Sequence, residues 1–417
     1  MNYCTVCGTR LNESGQCPVC LAKAERREKA VRRLRGAVYA AALLAVLLLG
    51  WYTAQSAEVT PVETEPSFAA SKYDEAGTCG EALHWGFYRD TGKLVITGSG
   101  MMDDYTVLYE ESTDTYSTDA PWYGLPIVTV ELDGVRVVGR YAFYGCKELT
   151  QVVFSDELYM IGEGAFLECE ALTELNLPES LEYIEAFAFA ECFGLRDIVL
   201  PDRMKMVGDK AFASISQLNS VKLSESLTYL GAGAFHSCYT LSEISPIPAG
   251  VTYIGENAFF SVIGLREIKV AEDNPNYKDV DGVLFTKDGK TLLKYPNLRS
   301  LEPYVVPDGV TRIEDNAFYF CGGLQGISFP ESLKTIGEYA FYSCEGLKEL
   351  TLPQGLSIIG KCAFAINMNM KTLFIPDTVI QIAQAAFASC VKLTHVRLPD
   401  SAQIAEDAFV GCLSLEK

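Results

Sequence analysis

One short pattern returns along most of this chain, and it leaves few folds open. Ala-Phe, two residues, commonly Cys, two residues and then Leu recur from Ala142-Phe143 onward. The phenylalanines are Phe143, Phe166, Phe189, Phe212, Phe235, Phe259, Phe318, Phe341, Phe364, Phe387 and Phe409, spaced by 23, 23, 23, 23, 24, 59, 23, 23, 23 and 22 residues. Five residues before each stands Ile, Val or Leu, as at Ile161, Ile184, Ile336 and Ile382. Six residues after stands Leu, with Met370 the exception. A unit of this length cannot cover its own apolar face, so copies in one register must stack on one another.

The segment Leu172-Thr173-Glu174-Leu175-Asn176-Leu177-Pro178 shows how a unit works. Leu172, Leu175 and Leu177 point inward while Thr173, Glu174 and Asn176 face out, so stacked copies build a parallel sheet along one side. Pro178 and its equivalents Pro201, Pro330, Pro353, Pro376 and Pro399 end the strand, because proline cannot donate to the ladder. Each Phe closes the core between neighbouring turns. The expected fold class is an α/β-type repeat solenoid, a leucine-rich repeat of about 23 residues with a β-rich N-terminal cap.

The pattern I-G-x-x-A-F-x-x-C-x-x-L-x-x-[IVL]-x-[LF]-P, carried by Phe166, Cys169, Leu172, Leu175, Leu177 and Pro178, resembles the BspA-type leucine-rich repeats of bacterial surface proteins. Gly77-Thr78-Cys79-Gly80, Leu83-His84-Trp85, Leu94 to Gly100 and Ala120-Pro121-Trp122-Tyr123 look like that family's N-terminal cap. The bare sequence agrees, since two apolar runs flank a turn at Arg89-Asp90-Thr91-Gly92 and read as a hairpin. The resemblance covers residues 73–417, with a cap over 73–125 and repeats over 126–417. It implies surface exposure, and adhesion to host proteins is a role of some relatives. The interval of 59 suggests a β-hairpin insertion at about 271–305, where Asp281-Gly282 and Asp288-Gly289 separate apolar runs. Asp279-Val280-Asp281-Gly282 has no Glu at the later position that a calcium loop requires, so a plain turn is expected.

The first residues follow other rules. Cys4, Cys7, Cys17 and Cys20 form two C-x2-C pairs, a spacing at which four thiolates grip one zinc tetrahedrally. With no open position the zinc is expected to be structural, and metal supplies the folding energy of so short a segment. Residues 1–22 resemble the zinc ribbons at the N-termini of many bacterial membrane proteins. A basic segment, 23–35, carries Arg26, Arg27, Lys29, Arg32, Arg33 and Arg35. No charge then falls between Gly36 and Ala57, a run of about 33 Å as a helix against a hydrocarbon core of about 30 Å. Trp51 and Tyr52 sit where an aromatic belt lies, and the basic flank belongs in the cytoplasm. The expectation is a single transmembrane helix, 36–57, with the ribbon inside and the repeats outside. Ala54-Gln55-Ser56 also fits a signal-peptidase site, although cleavage there would discard the ribbon. Residues 58–72, rich in Pro, Glu, Ser and Thr, read as a disordered linker.

Charge follows the same division. Residues 1–35 hold eight Lys/Arg and three Asp/Glu, whereas the whole chain carries −20. That balance argues against a nucleic-acid partner. The repeat cysteines, Cys146, Cys169, Cys192, Cys238, Cys321, Cys344, Cys390 and Cys412, share a slot with Ile215, Val262 and Asn367, which marks packing thiols rather than bridges. Cys79 and Cys362 lie too far apart to pair. His84, His236 and His395 are scattered over the cap and separate repeats, and no phosphate loop, nucleophile elbow or paired-carboxylate motif is present, so no enzyme is expected.

What remains is a binding face on the strand exterior, where Arg196, Lys222, Arg266, Lys269, Lys348, Lys371, Phe374, His395 and Arg397 are the candidates. Phe374 has the character of a hot-spot anchor. The acidic segment Asp103-Asp104, Glu110-Glu111, Asp114 and Asp119 reads as a solvated insertion. The sequence therefore points to a membrane-anchored bacterial surface protein that binds an external protein or glycan. The alternative is a transmembrane sensor whose zinc ribbon relays binding to a cytosolic partner.

Overall fold

The computed structural model describes residues 69–110, 115–299 and 302–415. The expected ribbon, basic segment and membrane span, and residues 58–68 of the linker, lie outside the described residues. Among the described residues no helix is long and apolar enough to cross a membrane. Residues 70–417 form one compact unit.

That unit begins with an antiparallel meander, Glu75–Thr78, Leu83–Tyr88 and Lys93–Met101. Gly92, at φ +65°, turns the chain between the last two strands, where a side chain would also strike Val128 and Pro126. Lys93–Met101 then pairs in parallel with Thr129–Val138, which starts the repeat ladder. From there two parallel ladders run along the stack. One joins Met160–Ile161, Tyr183–Ile184, Met206–Val207, Tyr229–Leu230 and Tyr253–Ile254. In these two-residue strands the second side chain enters the core, and that is the Ile, Val or Leu found five residues before each Phe. The other ladder is the expected one and includes Asp197–Val199, Ser220–Lys222 and Glu243–Ile244.

The Ala-Phe segments are not helical, so the α/β-type expectation is corrected to a β-solenoid. The only helix among the described residues is the single 3-10 turn Ala70–Lys72. The cause lies in where the amides donate. Around Phe166, the amides of Gly164, Phe166 and Glu168 donate to Ala186, Ala188 and Ala190 of the next coil. Ala165, Leu167 and Cys169 donate three residues back, to Gly162, Gly164 and Phe166. An α-helix needs every amide to donate four residues back, and here every second amide holds the neighbouring coil instead. Left-handed residues two before and two after the core Phe make this possible, for example Phe187 at φ +58° and Glu191 at +61°. Neighbouring coils over-determine that strained backbone.

The core is a column of rings. Trp122 of the cap stacks on Phe143 at 5.6 Å, and Phe143, Phe166, Phe189, Phe212, Phe235 and Phe259 follow at 5.0–6.1 Å. Two separate cores then meet at the long interval. Strand Val283–Thr286 divides them by simple alternation: Leu284 joins the first core, while Val283 and Phe285 join the second.

The interval itself is part insertion and part repeat. Tyr295 stacks on Phe318 at 4.7 Å, and its amide donates to Ala317 as a core Phe would. Tyr295 lies 23 residues before Phe318, so a further coil is present with Tyr in the Phe position. Its strand, Tyr304–Val305, pairs with Ile327–Ser328. The true insertion is the hairpin Tyr277–Val280 and Val283–Thr286, which leads into Thr291–Lys294 and then in parallel into Arg312–Ile313. On the turn side the two blocks stay in contact through Phe260 and Tyr319, 4.6 Å apart, and through Asn316 Nδ2 donating to Asn257 Oδ1 at 2.9 Å.

Candidate binding face

The outward column of the second ladder is set by register. In the first block Val199 stands beside Lys222. In the second, Glu349–Thr351, Thr372–Phe374 and His395–Arg397 form one parallel sheet with Thr351, Phe374 and Arg397 side by side, and Glu349, Thr372 and His395 likewise. The inward partners Leu350, Leu373 and Val396 anchor each strand to the core. Strand alternation therefore forces Phe374 outward, and it is 51% exposed.

The structure divides the expected site residues into groups. Lys348, Lys371, Phe374, His395 and Arg397 come together. Lys371 donates its amide to the Lys348 carbonyl at 2.7 Å, and Thr394 donates to the Lys371 carbonyl at 3.0 Å, so their side chains leave successive coils from one position. His395 Nδ1 lies 2.8 Å from the Thr394 hydroxyl. Arg397 meets Asp377 at 3.0 Å, but both side chains are about two-thirds exposed, and such a pair holds its arginine by at most about 1 kcal/mol. An open cleft of about 290 Å³ lies here, lined by Phe374, Thr394, His395 and Arg397 with Leu373, Val396 and Leu415.

Arg196 and Lys222 are exposed on the first block's sheet, away from that group. Arg266 is exposed beside the insertion. Lys269 is engaged locally, since Glu267 at 3.3 Å and Asp279 at 3.6 Å hold its ammonium. The hydrogen bond to Glu267 and the two carboxylates raise its pKa. Sequence reasoning missed Val153, Val199 and Val305, which are exposed in outward strand positions. The signal was available: Val153 and Val199 occupy the x of [IVL]-x-[LF], and Val305 lies between Tyr304 and Val306 in the equivalent place.

The cysteine slot holds more chemistry than packing alone. No disulfide forms among the described residues. Cys169, Cys192, Cys238, Cys344 and Cys390 each donate from Sγ to a core-Phe carbonyl of the preceding coil, at 3.1–3.3 Å. Asn367 does the same job in its coil, donating from Nδ2 to the carbonyls of Phe341 at 2.8 Å and Phe364 at 2.7 Å. Burial pushes the Cys146 and Cys238 thiols up to about 12, so both stay protonated. Cys412 donates in the same way, to the Phe387 carbonyl at 3.1 Å, but it is only half-buried and its neighbour Cys390 lowers its pKa. Cys4, Cys7, Cys17 and Cys20 lie outside the described residues. Among the described residues no group of three His, Cys, Asp or Glu could hold a metal ion.

A family model described as "BspA type Leucine rich repeat region" matches residues 136–274 and 294–416, in six copies. Similar solved structures include a leucine rich cell surface protein from Faecalibacterium prausnitzii A2-165. It is 28% identical, covers 83% of this chain and 95% of its own, and gives a TM-score of 0.67. A leucine-rich repeat protein from Eubacterium ventriosum is 21% identical, with 82% and 95% covered and a TM-score of 0.52. The pneumococcal vaccine antigen PcpA is 18% identical, with 81% and 95% covered and a TM-score of 0.51. The last two share the fold alone. No curated protein matches.

Proposed function

The chain belongs to the BspA-type leucine-rich repeat family, and on that basis we propose that it is a membrane-anchored bacterial surface protein whose repeat domain binds an external protein or glycan. The observation that carries this reading is the outward column Thr351, Phe374 and Arg397, with Lys348, Lys371 and His395 beside it. An exposed aromatic flanked by cationic side chains on a rigid sheet has the composition of an interface centre. The cell-surface description of the Faecalibacterium protein supports the same setting. In this reading Gly36–Ala57 spans the membrane, and Cys4, Cys7, Cys17 and Cys20 hold a structural zinc on the cytoplasmic side. The spacing of those cysteines favours a second reading, in which the ribbon meets a cytosolic partner and reports ectodomain occupancy.

Adhesion tests the first reading. Cells displaying the full chain should adhere to at least one member of a panel of matrix proteins and mucin-type glycans. The double variant Phe374→Ala/Arg397→Ala should reduce that adhesion about tenfold or more, a loss expected of two central interface residues. Adhesion unaffected by the double variant would remove this face from the account.

A further inference from the structure

A row of rings on the turn side belongs to neither core. The residue after the core Phe is Leu167, Ala190 or Ala213 in the middle of the first block, and Ala365 or Ala388 towards the far end of the second. Around the junction of the blocks it is aromatic: His236, Phe260, Tyr319 and Tyr342. These four follow one another at centroid distances of 4.8, 4.6 and 5.2 Å. Phe320 joins them, 4.5 Å from Tyr319 and 5.9 Å from Tyr342. Neither core includes any of these rings.

The row reaches solvent. Phe320 is 46% exposed, and Tyr239, next to Tyr319, is 48% exposed. His236, Phe260, Tyr319 and Tyr342 are partly exposed. Tyr319 and Tyr342 stack within 14°, and Phe320 crosses them at 71° and 85°, which lays its plane along the row. Burial raises the Tyr319 pKa, and the neighbouring phenols of Tyr342 and Tyr239 add to the rise, so three hydroxyls gather here. None of the three has a hydrogen-bond partner among the described residues.

Charge is missing from the same place. Over the five residues after the core Phe, the coils of Phe235, Phe259 and Phe318 carry no Lys, Arg, Asp or Glu. The coils of Phe143, Phe166 and Phe189 carry Lys147, Glu148, Glu168, Glu170 and Glu191 there. A charged ligand gains nothing from such a row. A protein partner needs about 800 Å² on each side, an area that one row of partly buried rings does not supply. A neutral sugar chain offers C–H faces to rings and hydroxyls to phenols. A pyranose is also about as long as one coil is thick, so successive sugars can meet successive coils.

We propose that this row binds a neutral, extended oligosaccharide segment of an external glycan. Phe320 lies against the sugar faces, and the phenols of Tyr239, Tyr319 and Tyr342 bond to sugar hydroxyls. Phe374 stands ten residues after its core ring, on the strand side, so the two surfaces are separate and either can fail without the other.

The test titrates the full chain, in a detergent without a sugar headgroup, with cellohexaose and with chitohexaose by isothermal titration calorimetry. At least one should bind. Tyr319→Ala/Tyr342→Ala should weaken that binding about tenfold through loss of two aromatic contacts with their hydroxyls. Tyr319→Phe/Tyr342→Phe keeps the rings and should weaken it about threefold through the hydroxyls alone, which decides the matter should the alanine pair not fold. Ile380→Ser, which removes an exposed apolar side chain elsewhere, should leave binding unchanged. The proposal is overturned if neither sugar binds, or if either folded tyrosine variant binds like the wild type. It is equally overturned if a sulfated heparin hexasaccharide binds with the same tyrosine dependence, since the recognition is then not of a neutral chain.

Discussion

The first block of coils is headed by Trp122, whose indole Nε1 donates to the Ala142 carbonyl at 2.7 Å while its ring stacks on Phe143. The second is headed by Tyr295 and, before it, by Lys294, which stands where the other coils carry Ala beside the core ring. Lys294 is buried and its ammonium nitrogen has no hydrogen-bond partner. Asn297 Oδ1 and Tyr304 Oη, in the same coil, are likewise unmet. The first block's cap carries two such atoms, Trp85 Nε1 and Tyr105 Oη, but no charge. Both blocks start in one way, an antiparallel meander feeding a parallel ladder. Apart from Asn367 Oδ1, the regular coils satisfy one another; the other unmet buried groups gather where a stack starts, and only the second start buries a charge.

Removing a core ring should have the largest effect and should separate the blocks. Phe189→Ala in the first and Phe341→Ala in the second should each cost about 3–5 kcal/mol. Hydrogen exchange should report the loss mainly within the mutated block, because each ring belongs to a different core. Equal loss of protection in both blocks would mean that the insertion does not divide them.

Replacing Lys294 should act in the opposite direction. Lys294→Met should stabilise the second block by about 2–3 kcal/mol, through removal of an unmet buried donor. Burial lowers this lysine's pKa from its ordinary 10.5, so the unfolded chain binds the proton more tightly. Wild-type stability should therefore fall as pH drops through the alkaline range below 10.5, and the variant should lose that slope. Denaturant midpoints at pH 7 and pH 10.5 would measure both effects.

A smaller effect is expected at Asn367. Asn367→Ala leaves the Phe341 carbonyl without its side-chain donor, while Cys390 still donates to the Phe364 carbonyl, and should cost about 1–2 kcal/mol. Asn367→Cys should recover part of it, because a thiol in this slot reaches the equivalent carbonyl in the first block. The smallest test leaves stability unchanged. Cys412, half-buried and with its pKa lowered by the neighbouring Cys390, should react with iodoacetamide well before the buried Cys169 or Cys238, which peptide mapping would reveal.

The sequence made the ring register, the outward strand positions and the strand-ending prolines legible, because each is a single residue type at a fixed offset. The other ladder was not legible. Its strands are two residues long, as at Met160–Ile161, too short to display alternation. The missing helix was hidden for a related reason: a period of 23 residues fixes that units stack, not which way their amides point. Tyr295 escapes a search for Phe at the core position, although Tyr304-Val305-Val306-Pro307 behind it keeps the outward residue between two inward ones and the closing proline. Among the site residues, offsets placed Lys348, Lys371, Phe374, His395 and Arg397 correctly on the outward side. They could not reveal that Lys269 is held by Asp279, which arrives from the inserted hairpin.

Protease treatment of intact cells that carry the full chain, tagged at both termini, tests the surface account most directly. The account predicts loss of the C-terminal tag, while the N-terminal tag survives on a short membrane-bound fragment that includes Gly36–Ala57. Recovery of the uncut chain with both tags, in a soluble fraction, would contradict it.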